Sequence, residues 1–93
     1  MKITVNSEKR EALVAETVTE CINAIKAHAE EGIDKTDLYV QKGIARDVRS
    51  RLKEEVEDVE FLIVKRAPNE FTGRMNYYTT ETIGDESHFR VKV

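Results

Sequence analysis

The longest periodic pattern of hydrophobic and polar residues lies in the first third of the chain. Across residues 7–31 the apolar positions recur every three or four residues, so they form one stripe along a helix. The stripe consists of Val14, Val18, Cys21, Ile25, His28 and Ala29, with Ile22 at its edge. Asn6 or Ser7 can cap the start, and Gly32 suits the left-handed residue that often follows a helix. The pattern predicts a helix that packs on one side only.

A second helical pattern begins at Ile44. Its apolar face carries Ile44, Ala45, Val48, Leu52 and Val56. Its opposite face carries Arg46, Ser50, Lys53 and Glu57. This spacing predicts an amphipathic helix over residues 44–57.

Four further segments have the alternation or the β-branched and aromatic content of strands. They are Asp37–Gln41, Val59–Arg66, Arg74–Thr82 and His88–Val93. In the last, Phe89, Val91 and Val93 are expected to point inward, and a strand with a charged outer face is typical of a sheet edge or an exposed sheet face. Residues 2–5 also alternate, which fits either a short strand or an extended lead-in to the first helix.

These elements occur in the order (β)-α-β-α-β-β-β. Short loops join the last three strands, which predicts an antiparallel meander with Gly84–Ser87 as its final turn. Both helices would lie on one face of a mainly antiparallel sheet and leave the other face partly open. We therefore expect a two-layer α+β fold, with residues 1–93 forming a single domain.

Composition narrows the class of protein. The 93 residues carry a net charge of −3, which argues against general nucleic-acid binding through overall electrostatics. The single cysteine fits a reducing cytosol. No apolar run approaches the length of a membrane span, and residues 1–10 lack the core of a signal peptide. We expect a cytoplasmic protein without membrane contact.

Residues 33–57 also permit a helix-turn-helix interpretation. Leu38, Gly43, Ile44, Val48 and Leu52 resemble the pattern of winged-helix domains, a likeness that covers roughly residues 10–82. It implies a first helix over residues 35–42 and a recognition helix over 46–57. Arg46, Arg49 and Arg51 would then face a DNA groove. On the sequence alone, residues 36–41 are open to either strand or helix.

The strand interpretation has a resemblance of its own. A long helix ending at Gly, then Leu38-Tyr39-Val40, Lys42-Gly43, an amphipathic helix, a hydrophobic strand and Tyr77-Tyr78-Thr79-Thr80 form an order that looks like small phage-encoded α/β proteins. Most of those are of unknown function, and some bind and neutralise host systems. The resemblance implies a host protein or defence complex as partner and the host cytoplasm as compartment.

Candidate catalytic chemistry is sparse. Cys21 and His28 are seven residues apart on one helix, which places them about 10 Å apart and too far for a shared metal or a catalytic pair. Cys21 lies in the middle of the apolar stripe and is expected to be a buried small hydrophobe. No phosphate-binding loop or hydrolase motif is present. We expect no enzymatic activity, no cofactor and no metal site, although a site assembled from Tyr, His and Glu residues is a third hypothesis.

The leading hypothesis is therefore a non-enzymatic protein-binding module, with DNA binding through helix 44–57 as the alternative. The residues proposed for its binding surface are Arg46, Arg49, Lys53, Arg74, Tyr78, His88, Arg90 and Lys92. Ion pairs such as Asp47–Arg51 also explain the charges on the second helix as a solvated face. A homodimer is a further hypothesis, formed by pairing of the strand edge at residues 89–93.

Overall fold

The computed structural model describes residues 1–80 and 87–93, without the side chains of residues 65–67 and 77–80. It confirms both predicted helices and the order of the elements. The helices and strands are α1 (Ser7–Glu30), β1 (Lys35–Tyr39), a 3₁₀ turn (Lys42–Ile44), α2 (Ala45–Glu55), β2 (Glu60–Pro68), β3 (Met75–Thr80) and β4 (His88–Lys92). Residues 36–39 thus belong to a strand. The lead-in at residues 2–5 forms no strand and is exposed.

Helix α1 begins and ends as its sequence predicts. The side chain of Asn6 accepts a hydrogen bond from the backbone N–H of Lys9 at 3.0 Å, and Gly32 has a φ of +82° just beyond the last turn. Four residues of the predicted stripe are buried: Val14, Val18, Cys21 and Ile25. Ala29 is exposed, against expectation, because it lies at the edge of the stripe, about 60° from Val14 around the helix.

The sheet is antiparallel, and its strand order is β1-β4-β2-β3. The predicted meander is therefore wrong in its last step. β4 does not pair with β3; it returns to the other side of β2, where Phe89 lies opposite Ile63, and it also pairs with β1. Among the described strands, β1 and β3 are the outermost, so the predicted free edge at residues 89–93 is wrong too. An alternating pattern with two buried positions fits a central strand as well as an edge.

The core lies between the helices and one face of the sheet. Its fully buried large side chains come from both layers: Phe89, Leu52, Ile63, Val48 and Val91. Val93, predicted to point inward, is 49% exposed because it follows the last residue of β4. The structure thus has the two-layer α+β arrangement, with both described helices on one face of the sheet. None of the described helices is long and apolar enough to cross a membrane.

A polar contact joins the end of α1 to β1. Thr36 is 3% exposed, and its hydroxyl lies 2.9 Å from Nδ1 of half-buried His28. We expect Thr36→Val to lower the free energy of unfolding by about 0.5–1.5 kcal/mol, because it removes this hydrogen bond while keeping the side-chain shape. Urea denaturation measures the change. Thr19→Val is a control because Thr19 is exposed and its hydroxyl donates within its own helix, to the carbonyl of Ala15. An equal loss in both variants would contradict the role of the His28 contact.

Half of β2 extends beyond the rest of the sheet. β4 pairs with residues 60–63 of β2, whereas residues 64–68 pair with β3 alone among the described strands. We call residues 64–79, which comprise this two-stranded ribbon and its turn, the arm. The radius of gyration is 15.3 Å, against about 12 Å for a compact chain of this length. The larger value is consistent with an element that projects from the body.

Candidate functional site

The tip of the arm is a turn held by hydrogen bonds. The side-chain oxygen of Asn69 accepts from the backbone N–H groups of Phe71 at 2.9 Å and Thr72 at 3.2 Å. The backbone N–H of Asn69 donates to the carbonyl of Arg74 at 2.7 Å, and that of Gly73 donates to the carbonyl of Asn69 at 2.9 Å. Gly73 has a φ of +69°, a conformation that glycine adopts without steric cost. The sequence Asn-Glu-Phe-Thr-Gly thus encodes one defined turn.

This turn presents Phe71 to solvent. The side chain is 97% exposed, and Met75 at the start of β3 is 47% exposed. Single apolar residues on a surface are common and need no explanation by themselves. Phe71 differs because an ordered backbone at the end of a projecting ribbon carries it. An aromatic side chain in such a position can enter a pocket with little further loss of conformational entropy.

The arm differs in charge from the whole chain. It contains the basic residues Lys65, Arg66 and Arg74 and the single acidic residue Glu70, within a chain of net charge −3. Arg74, one of the residues proposed from the sequence, lies beside the turn and is exposed. The arm therefore combines an exposed aromatic tip with net positive charge.

A second surface is the face of the sheet opposite the helices, which we call the open sheet face. Its central contact is between neighbouring strands: Arg90 donates to Asp37 through Nε at 2.6 Å and through Nη2 at 3.1 Å. His88 stacks on the ring of Tyr39, with ring centres 4.1 Å apart. Lys92 lies across from Glu60 in the β2–β4 ladder. The structure thus brings His88, Arg90 and Lys92 to one face, where residues of neighbouring strands lie beside each of them.

The Asp37–Arg90 pair makes stability depend on pH. The hydrogen bond from Arg90 lowers the pKa of the Asp37 carboxyl, against the opposing effect of burial. A lowered folded-state pKa stabilises the fold above the ordinary pKa of an aspartate, about 3.9, and the contribution is lost as the pH falls through the folded-state pKa.

We expect Asp37→Asn to lower the free energy of unfolding near pH 7 by less than about 1 kcal/mol, because both side chains are partly solvated. The difference from the parent protein should shrink to nothing in strong acid. Urea denaturation at a series of pH values measures it. A difference that stayed constant from pH 7 down to acid unfolding would show that charge on Asp37 is not its source.

The three proposed residues of α2 lie in different surroundings. Arg46 is exposed, and the ammonium of exposed Lys53 lies 5.7 Å from the ring centre of Phe61. Arg49 is only 2% exposed, with its guanidinium carbon 5.7 Å from the ring centre of Phe89, so its placement on a binding surface is wrong. It is spaced four and three residues from buried Ala45 and Leu52, and that spacing turns it toward the core.

The contacts of α2 also oppose the winged-helix interpretation. Its first helix would cover residues 35–42, where the structure has β1 and the 3₁₀ turn. On α2, Asp47 accepts from Arg10 at 2.7 Å and Arg51 pairs with Glu11, so both pair with α1. Arg49 and Arg51, two of the three expected groove-facing arginines, are therefore buried or ion-paired.

The structure places Cys21 in the core, as predicted. It is 5% exposed, and burial raises the pKa of its thiol to about 11, with a smaller contribution from Glu20. A thiol with a raised pKa is a poor nucleophile near neutral pH. Within residues 1–80 and 87–93, no three His, Cys, Asp or Glu side chains converge as metal ligands would.

The predicted surface residues thus separate into α2, the open sheet face and the arm. Tyr78 pairs with Lys65 in the β2–β3 ladder, and its side chain lies outside the described part. Most of the predicted turn at 84–87 also lies outside it. Phe71 is not among the residues predicted from the sequence, because it falls in the loop between two predicted strands. The available signal was a lone aromatic residue between Asn69 and Gly73, flanked by two predicted strands.

Comparisons of the chain with protein-family models, with curated proteins and with solved structures give no match.

Proposed function

We propose that this protein is a non-enzymatic binding module that inserts the tip of its arm into a pocket of a partner protein. The observation that carries the proposal is Phe71, which is 97% exposed on a turn fixed by hydrogen bonds. Aromatic side chains that fill a partner's pocket supply a large share of binding energy at many protein interfaces. Their contribution is greatest where the free protein already holds them in the bound conformation.

The chemistry of the arm defines the pocket. Phe71 and Met75 require an apolar floor, and the positive charge of the arm favours an acidic rim. Because Glu70 is the one acidic residue of the arm, carboxylates on the partner meet little repulsion there. The partner is therefore a protein with an apolar, acid-rimmed pocket.

A nucleic acid is the alternative ligand for the same arm. The major groove of DNA admits a two-stranded ribbon, and the arm has that form with net positive charge. A DNA groove would offer phosphates and base edges, which are polar, at the place where the ribbon presents Phe71. A pocket in a protein suits this apolar side chain better, so a protein partner is favoured. The net charge of the chain also opposes approach to a polyanion.

The cellular setting follows from the sequence rather than from the arm. The likeness to small phage-encoded α/β proteins supports a bacterial host protein or defence complex as partner. The single, buried cysteine supports the reducing bacterial cytoplasm as the place of action.

Affinity capture from bacterial lysate with three tagged variants tests the proposal. The parent protein and Tyr39→Ala should retain one shared partner, and Phe71→Ala should lose it. Tyr39 is a suitable control because it is a 75% exposed aromatic residue on the open sheet face, in β1, which lies on the other side of the sheet from β3. A captured set that is the same for all three variants would contradict the arm as the binding element.

Gel shifts on duplex DNA at low salt separate the two kinds of ligand. We expect no shift for the parent protein. A shift that disappears in Arg74→Ala and weakens steeply with salt would replace the protein partner by a nucleic acid, since phosphate contacts are strongest at low ionic strength.

A further inference from the structure

The body of the molecule contains a groove whose properties are complementary to those of the arm. It lies between the end of α2 and the start of β2, with a volume of about 530 Å³. Its floor consists of Val56, Val59 and Phe61, which are partly buried against the core. Glu57 and Asp58 also line it, and both of these acidic residues are exposed.

This groove has the features that the arm requires of a partner. An apolar floor suits Phe71, and the two carboxylates are opposite in charge to Arg74. Lys53 is the basic residue of the lining, and its ammonium lies over the ring of Phe61, where an incoming aromatic ring would displace it. We propose that a second copy of this chain docks its arm in the groove.

The arm cannot reach the groove of its own molecule. Phe61 and the arm lie on the same strand, β2, which extends from the groove toward the tip. At about 3.3 Å per residue, the seven steps from Phe61 to Pro68 span about 23 Å, and Phe71 lies beyond them. The contact is therefore between two molecules.

A two-fold axis allows each molecule to give its arm and receive the other's. Two identical contacts then form at once, and the assembly closes as a dimer rather than growing into a filament. This dimer uses the arm and the groove, in place of the strand edge at residues 89–93 that β1 and β2 already occupy.

Self-association would cover Phe71 and so compete with the partner. This inference rests on the proposed use of the arm for docking. It adds that the dimer is a form of the protein that does not bind the partner. Dilution would release the arm by mass action.

Charge reversal tests the contact through its symmetry. Sedimentation velocity over a concentration series should show the 10.7 kDa chain forming dimers. Arg74→Glu places a carboxylate against the acidic rim, and Glu57→Lys places an ammonium against the basic arm. Each variant alone should dimerise at least about tenfold more weakly than the parent protein. An equimolar mixture should recover most of the parent affinity, because both of its contacts pair opposite charges.

Truncation of the side chain at the tip is a second test of the contact. Phe71→Ala should weaken dimerisation by about thirtyfold or more, while Tyr39→Ala should dimerise like the parent protein. A parent protein that stayed monomeric at millimolar concentration would overturn the inference, as would a mixture no stronger than its components. Partner capture tests the proposed function separately. If the parent protein is monomeric but captures a partner that Phe71→Ala loses, the proposed function stands and only the dimer is refuted.

Discussion

Replacing Phe89 with alanine is expected to destabilise the fold by about 3–5 kcal/mol. Phe89 is 0% exposed at the centre of the sheet, in the strand that joins β1 to β2. Its ring contacts Phe61 at a centroid distance of 6.2 Å and lies 5.7 Å from the guanidinium of Arg49. Truncation removes buried apolar surface from both layers and leaves a cavity beside a buried cation.

Chemical denaturation measures this effect. A domain of this size has a total stability of about 5–15 kcal/mol, so Phe89→Ala should shift the midpoint strongly or leave the chain largely unfolded. Phe71→Ala is the matched control, with the same change at a residue that is 97% exposed. It should change the free energy of unfolding by less than about 0.5 kcal/mol. Equal losses in the two variants would contradict the packing described for Phe89.

The same Phe71→Ala variant should lose affinity for the captured partner by about 30-fold to 1000-fold. This corresponds to about 2–4 kcal/mol, the usual cost of truncating an aromatic residue in the centre of an interface. Most of the loss should lie in faster dissociation, since the charges that steer encounter remain in the arm.

Surface plasmon resonance with the purified partner measures both rates. Phe71→Leu should retain an intermediate affinity because it still fills part of an apolar pocket. Tyr39→Ala should bind like the parent protein. If all three variants bound equally well, Phe71 would have no part in the interface.

The helices were predictable because their signals are local. The period of α1, the cap at Asn6 and the stop at Gly32 depend only on neighbouring residues. The strands were also predictable from local pattern, but their order within the sheet was not. The alternation in β4 is the same whether it pairs with β3 in a meander or returns to β2, and only tertiary packing decides between these arrangements.

The candidate site was harder to predict than the fold. A charged residue on an amphipathic helix suggests a surface, yet Arg49 is buried because its spacing from Ala45 and Leu52 outweighs its charge. Conversely, the lone aromatic residue between Asn69 and Gly73 was only a weak signal, because the sequence does not give its exposure, which is 97%. Phe71 becomes a candidate binding residue because the strand pairing places its turn at the end of a projecting ribbon.

Site-specific photocrosslinking tests directly whether Phe71 enters a pocket of a partner protein. A photoreactive phenylalanine analogue placed at position 71 keeps an aromatic side chain at the tip, and the same analogue at position 39 reports on the open sheet face. In bacterial lysate with the module dilute, we expect position 71 to crosslink to a distinct partner protein and position 39 not to do so. Crosslinking of that partner from position 39 alone would contradict it and assign binding to the open sheet face.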